Sequence, residues 1–366
     1  MVQLLLAGAR GRSLRLALGI TSAVLLLLTP VLASRQTKVA EAAPPDLLMD
    51  GGRKLSYERS FSSEREVKPK RGFWNKLVDV VAGEPNFHYL VRPYSVVEDS
   101  RGRIIVTDPG ARGIHIFDFT RQKYKFISRA EKGKDSMRSP QCVALDAEDN
   151  IYVTDSDAGK VFVFDFNGKY KRVIGSLKGG EGYFKRPTGI AVDSSAQRIY
   201  VTDTLRNQVF VLDMQGSVLQ MIGKNGEGNG EFNFPTELLL NGKDLLVVDA
   251  MNFRVQTMDH SGNFRSAIGS IGDGSGSMFR PKGVAVDSEN DLYVVDGLQG
   301  AVQVFDRQGE LLYYFGKTGG HLGEFQLPAG LFIDRNDRIY VVDSYNRRVQ
   351  VFHYFGLHQS AKGARQ

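Results

Sequence analysis

One proline recurs at nearly constant spacing through the chain. Pro93, Pro140, Pro187, Pro235, Pro281 and Pro328 are separated by 47, 47, 48, 46 and 47 residues. Two further markers keep the same register. One is an aspartate: Asp108, Asp155, Asp203, Asp249, Asp296 and Asp343. The other is an aliphatic residue: Ile114, Val161, Val209, Val255, Val302 and Val349. Three markers in phase over six units mean that one supersecondary unit is repeated, and any fold must accommodate it six times.

Within each unit apolar residues alternate with period two, as strands require. In the third unit, PTGIAVDSSAQRIYVTDTLRNQVFVLD (187–213) holds three such runs, and VLQMIG supplies a fourth. Polar turns such as AEDN and SEND separate the runs, and no helical pattern intervenes. A parallel α/β sheet is thereby excluded. Four antiparallel strands in each unit of this length predict an all-β, six-bladed propeller. The sixth unit (93–355 being the whole array) ends at RVQVFHYF without a fourth strand. KLSYERSF (54–61) aligns with LLYYFGK of the fifth unit, so it is expected to complete the last blade and remove an unpaired edge.

The units resemble NHL repeats. The similarity is carried by FQLPAGLFIDRNDRIYVVDSYNRRVQVF (325–352) and FKRPTGIAVDSSAQRIYVTDTLRNQVFVL (184–212). It runs from Pro93 to Phe355, with units one and four departing most, at Glu98 and Glu237. The resemblance implies a six-bladed propeller and no particular chemistry, because functions are grafted onto such scaffolds.

The N-terminus has a different character. Arg10, Arg12 and Arg15 precede an apolar run, Leu16 to Ala33, that ends in small residues. This predicts a signal peptide over 1–33, with an uncleaved membrane anchor as the alternative. Export places the protein in the periplasm, outside the cell, or anchored and facing outward. Of 47 basic and 41 acidic residues, three Arg fall in 1–33, leaving a net charge of 44 − 41 = +3. That is no nucleic-acid footprint. A single Cys excludes a disulfide scaffold.

Residues 34–53 read as a flexible linker and 356–366 as a polar tail. The segment 62–92 is the longest connection. Phe73, Trp74, Leu77, Val78 and Val81 within it predict one face of a short helix: a lid, a docking element or an element lying on an anionic membrane.

The chemistry-bearing residues have structural readings first. The repeated Pro opens the innermost strand, where no ladder donor is needed. Two residues on, Ser95, Cys142, Gly189, Gly283 and Gly330 are small, as crowding at an axis demands; Glu237 is the only acid at that position. The repeated Asp reads as a turn-forming carboxylate. Phe184, Phe232 and Phe325, with Met137 and Met278 in the same place, read as plugs between blades.

Six-bladed propellers include metal-dependent lactonases and peptide-amidating lyases, which need converging ligands. The six histidines here have no common focus in the repeat. The reading is therefore a non-catalytic, monomeric module that binds a protein, peptide or glycan and no nucleic acid, with no cofactor. It contacts a membrane only through an uncleaved N-terminus. The alternative is a metal-dependent hydrolase or lyase, with Glu237 holding a divalent ion in the channel. The expected surface is the loop two residues past each repeated Asp. There Leu205, Met251, Leu298 and Tyr345 form an apolar arc flanked by Arg206, Asn252, Phe253, Asn346 and Arg347. Trp74 and Glu237 complete the candidate set.

Overall fold

Six antiparallel sheets, five of four strands and one of five, are arranged as a propeller in a computed structural model. The structure describes residues 41–67, 87–128, 136–177, 182–272 and 274–356. The predicted signal segment and the predicted helix around Trp74 lie outside these residues.

Blade three is representative. Its strands Pro187–Asp193, Arg198–Asp203, Gln208–Asp213 and Val218–Ile222 pair in sequence order. The innermost strands of blades two to five each begin at the repeated Pro. In blades one and six they begin slightly later, at Ser95 and Leu331. The second and third strands are buried on both faces, because each is sandwiched between neighbouring blades. This is why they read as continuous Val, Ile and Phe runs.

The ring closes as expected. Lys54–Phe61 pairs antiparallel with Arg348–Phe355, Phe61 opposite Val349 and Lys54 opposite Phe355. Phe61 packs among Val106 and Phe117 of blade one as well as Val349 and Val351 of blade six. The closing strand therefore welds the first blade to the last. Glu58 adds a bridge to Arg338 and His353, each at 3.1 Å. One expectation is corrected. Part of the stretch read as a flexible linker is a strand: Leu47–Leu48 pairs with the closing strand and gives blade six a fifth member.

The seams are filled by the residue three before each repeated Pro. Phe184, Phe232, Phe325, Met137 and Met278 are buried in clusters that draw on two adjacent blades. Leu90 fills the sixth seam, between blades six and one. Leu90 too stands three residues before its repeated Pro93, an aliphatic residue where the other blades carry Phe or Met.

Candidate binding face and hub

The repeated aspartates are all fully buried. Each accepts hydrogen bonds from backbone N–H groups of the loop that enters its own blade. Asp108 takes Val91 N at 2.6 Å and Arg92 N at 3.0 Å. Asp155 takes Arg138 N and Ser139 N, and Asp203 takes Lys185 N and Arg186 N. Asp296 takes Phe279 N and Arg280 N, then Leu298 N and Gln299 N from the following turn. Asp249 and Asp343 take Asn233 N and Gln326 N. The aspartate is thus a latch joining two loops on one face of the wheel, a wider role than the local turn its sequence suggests. Five residues on, Arg254 and Arg348 reach Asp249 and Asp343 at 2.9 and 2.8 Å. Lys160 sits opposite Asp155 in the ladder.

Seven residues past the latch, blades four, five and six carry Gln256, Gln303 and Gln350, whose amides reach loop carbonyls. His115 occupies the equivalent place in blade one. Its Nε2 lies 3.5 Å from Asp108 and its Nδ1 2.8 Å from the Tyr124 hydroxyl. Fully enclosed, it replaces the repeated glutamine as a brace. The structural repeat therefore explains a histidine that the sequence spacing left unassigned.

The latched loops carry the predicted arc. Leu205, Met251, Leu298 and Tyr345 are 45, 52, 55 and 62% exposed. Several flanking residues are engaged inward. Asn252 donates to Asp249 and to the Gly226 carbonyl, and Asn346 to Asp343 and the Gly319 carbonyl. Arg206 donates to the Tyr183 carbonyl, with its guanidinium 4.8 Å from that ring. Phe253 has a left-handed backbone and packs on the seam between blades four and five. Arg347 is exposed. Trp74 lies outside the described residues.

At the hub, Thr107, Thr154 and Thr202 donate to the carbonyls of Gln141, Thr188 and Thr236 in the next blade. Blades four to six have Val there and rely on close approach. A Cβ on Gly283 would lie 2.5 Å from the Ala329 carbonyl oxygen. Glu237 reaches back past Gly189 and accepts a hydrogen bond from Cys142 Sγ at 3.1 Å. Burial pushes its carboxyl up to about 7. Burial and then Glu237 push the Cys142 thiol well above its ordinary value. Cys142 is buried at the crowded axis, as expected of a spacer. No group of three His, Cys, Asp or Glu among the described residues is arranged to hold a metal.

Two clefts elsewhere had no sequence signal. One, of about 560 Å³, lies between blades one and two, lined by Arg101, Glu148, Asp165, Phe166 and Lys171 among others. The other, of about 280 Å³, lies between blades four and five and includes Asp244, Thr257 and Arg307. Both are assembled from strand ends and turns of adjacent blades.

The family described as a 6-bladed beta-propeller (DUF5128) matches residues 143–199 and 192–259, and the NHL repeat matches 325–352. No curated protein matches the sequence significantly. Among solved structures, a structural genomics protein of unknown function from Bacteroides thetaiotaomicron is 14% identical, with a TM-score of 0.58, covering 72% of this chain and 70% of that one. An auxiliary nutrient binding protein from the same organism is 12% identical, with a TM-score of 0.55 and coverages of 72 and 69%. Virginiamycin B lyase from Staphylococcus aureus is 14% identical, with a TM-score of 0.53 and coverages of 82 and 99%. At such identities the likeness shows the fold.

Proposed function

Because the chain is an NHL-repeat six-bladed β-propeller, we propose that it is an exported, non-catalytic binding or scaffold module. Its ligand is a protein, peptide or glycan, taken up on the latched loop face. One observation carries this reading. Four consecutive blades present a large exposed apolar side chain at the same loop position: Leu205, Met251, Leu298 and Tyr345. A repeated apolar position on a rigid rim is costly to leave in water and suits a partner surface. Loops held by a buried carboxylate need little ordering on binding, which preserves affinity. A relative by fold is titled a nutrient binding protein, in keeping with a binding role.

The alternative reading, a metal-dependent hydrolase or lyase in the channel, rests on Glu237 alone. That carboxyl is already engaged by Cys142.

The test is affinity capture from the native envelope with the full chain and with a Leu205→Glu, Met251→Glu, Tyr345→Ala triple variant. The reading expects capture of a partner that the folded triple variant loses. Unchanged capture by the variant overturns the surface.

A further inference from the structure

The residue immediately before each repeated Pro stands on the rim of the hub. Around the ring these residues are Arg92, Ser139, Arg186, Phe234, Arg280 and Leu327. Arginine therefore occupies alternate blades, one, three and five, and no acid occupies any of the six positions. All three arginines are held in one way. Their backbone N–H groups donate to Asp108, Asp203 and Asp296 at 3.0, 3.0 and 3.2 Å. The Arg186 and Arg280 carbonyls accept from Thr204 N and Gly297 N.

Their side chains are spent on nothing. Arg92, Arg186 and Arg280 are exposed, and none has a side-chain hydrogen bond or ion pair among the described residues. The adjacent position adds a fourth cation. Lys282 follows Pro281, is partly buried, and holds its ammonium 5.6 Å from the Tyr94 ring centroid. That contact carries a blade-five cation to blade one, beside Arg92. Burial, then Arg280 and Arg92, push the Lys282 ammonium down to about 8. Burial first, then Cys142 and Glu237, push the Tyr94 hydroxyl up, and Arg186 and Arg280 oppose them from blades three and five. The same ring holds Thr236, whose hydroxyl is buried without a hydrogen-bond partner. The six latch carboxylates lie nearby, but they are buried and engaged by backbone donors, with side-chain donors added at Asp249 and Asp343.

Four cations gathered round a hub whose acid, Glu237, is buried and already bonded by Cys142 are an unfavourable arrangement in the empty protein, since like charges near one another repel. Such a set becomes favourable when an anion bridges it, and guanidinium groups suit bidentate oxyanions. We propose that the mouth of the hub is a binding site for a compact polyanion, a multivalent carboxylate or phosphoryl compound, clasped by Arg92, Arg186, Arg280 and Lys282. This site lies inside the apolar arc and does not depend on the arc having a partner.

Calorimetric titration of the full chain with citrate and, separately, pyrophosphate tests it, at fixed ionic strength. One-to-one binding of at least one is expected, and the tighter of the two identifies the acid group. Arg280→Ala and Arg186→Ala should each weaken binding by about tenfold or more, the scale of one charge-assisted hydrogen bond. Neither side chain has a hydrogen-bond or ion-pair partner among the described residues, so melting should stay unchanged. Arg101→Ala, in the cleft between blades one and two, should bind as the parent does. The Leu205, Met251 and Tyr345 triple variant should also retain the anion, which separates this site from the partner surface. Absence of binding for both anions overturns the proposal. So does an equal loss in Arg101→Ala, which marks unspecific surface attraction.

Discussion

Cys142 of blade two donates to Glu237 of blade four across a blade that contributes only glycine between them, at Gly189. A Cβ at Gly189 would stand 2.9 Å from the Glu237 Cα. The missing side chain is therefore what lets a carboxyl from one inner strand reach a thiol two strands away. The departure of the fourth repeat at Glu237 and the lone cysteine of the second are one feature of the hub.

This pair predicts a pH-dependent stability. Glu237 has its folded pKa pushed up to about 7 from an ordinary 4.5. An acid so raised keeps its proton longer in the fold than in the unfolded chain. Its contribution is complete below 4.5 and is lost as pH climbs toward 7, by up to about 1.4 kcal/mol per pH unit. Asp287, pushed up to about 6, acts with the same sign. Denaturant unfolding at pH 5 and pH 7 should therefore show a smaller decline in Glu237→Gln than in the parent. Equal declines would refute the role of Glu237.

The same burial predicts an inert thiol. The thiolate is the reactive form, and it is disfavoured beside Glu237 in a dry site. A disulfide reagent at pH 8 should leave the native protein unmodified and titrate one thiol after denaturation. Rapid reaction in the native state would contradict the geometry of the hub.

Closure predicts a strong dependence on the N-terminal strand. Phe61→Ala should cost about 3–5 kcal/mol, because the ring is buried against both the first and last blades. Deleting residues 50–62 should abolish the cooperative thermal transition. An unchanged melting curve after deletion would show that the ring does not need its clasp.

The latch predicts that a fully buried aspartate matters for stability. Asp296→Ala leaves four backbone donors without their acceptor. A loss of roughly 2–5 kcal/mol is expected. Asp296→Asn retains acceptor oxygen and should lose less. Chemical denaturation of both variants checks the order, and a neutral Asp296→Ala would remove the latch from the account.

The repeat made most of the architecture legible. Period-two alternation and the phased Pro and Asp are local properties, and strand order in a blade follows from short turns. The seam residues Phe184, Phe232 and Phe325 and the exposed arc were legible for the same reason, since a repeat assigns equivalent positions to equivalent environments. The strand at Leu47–Leu48 and the brace formed by His115 were not. Each lies where the pattern breaks or where only a neighbouring blade supplies the context.

By itself the sequence determined the unit, its count and which strand must close the wheel, because hydrophobic alternation and edge pairing are dictated by chain-local chemistry. Tertiary structure alone decided what meets at the axis. Cys142 and Glu237 are 95 residues apart, and Arg92, Arg186 and Arg280 come from separate blades. Bending six sheets into a ring brings them round one hub, where burial changes the acidity of a carboxyl and cations from separate blades gather. Neither consequence is written in any single repeat.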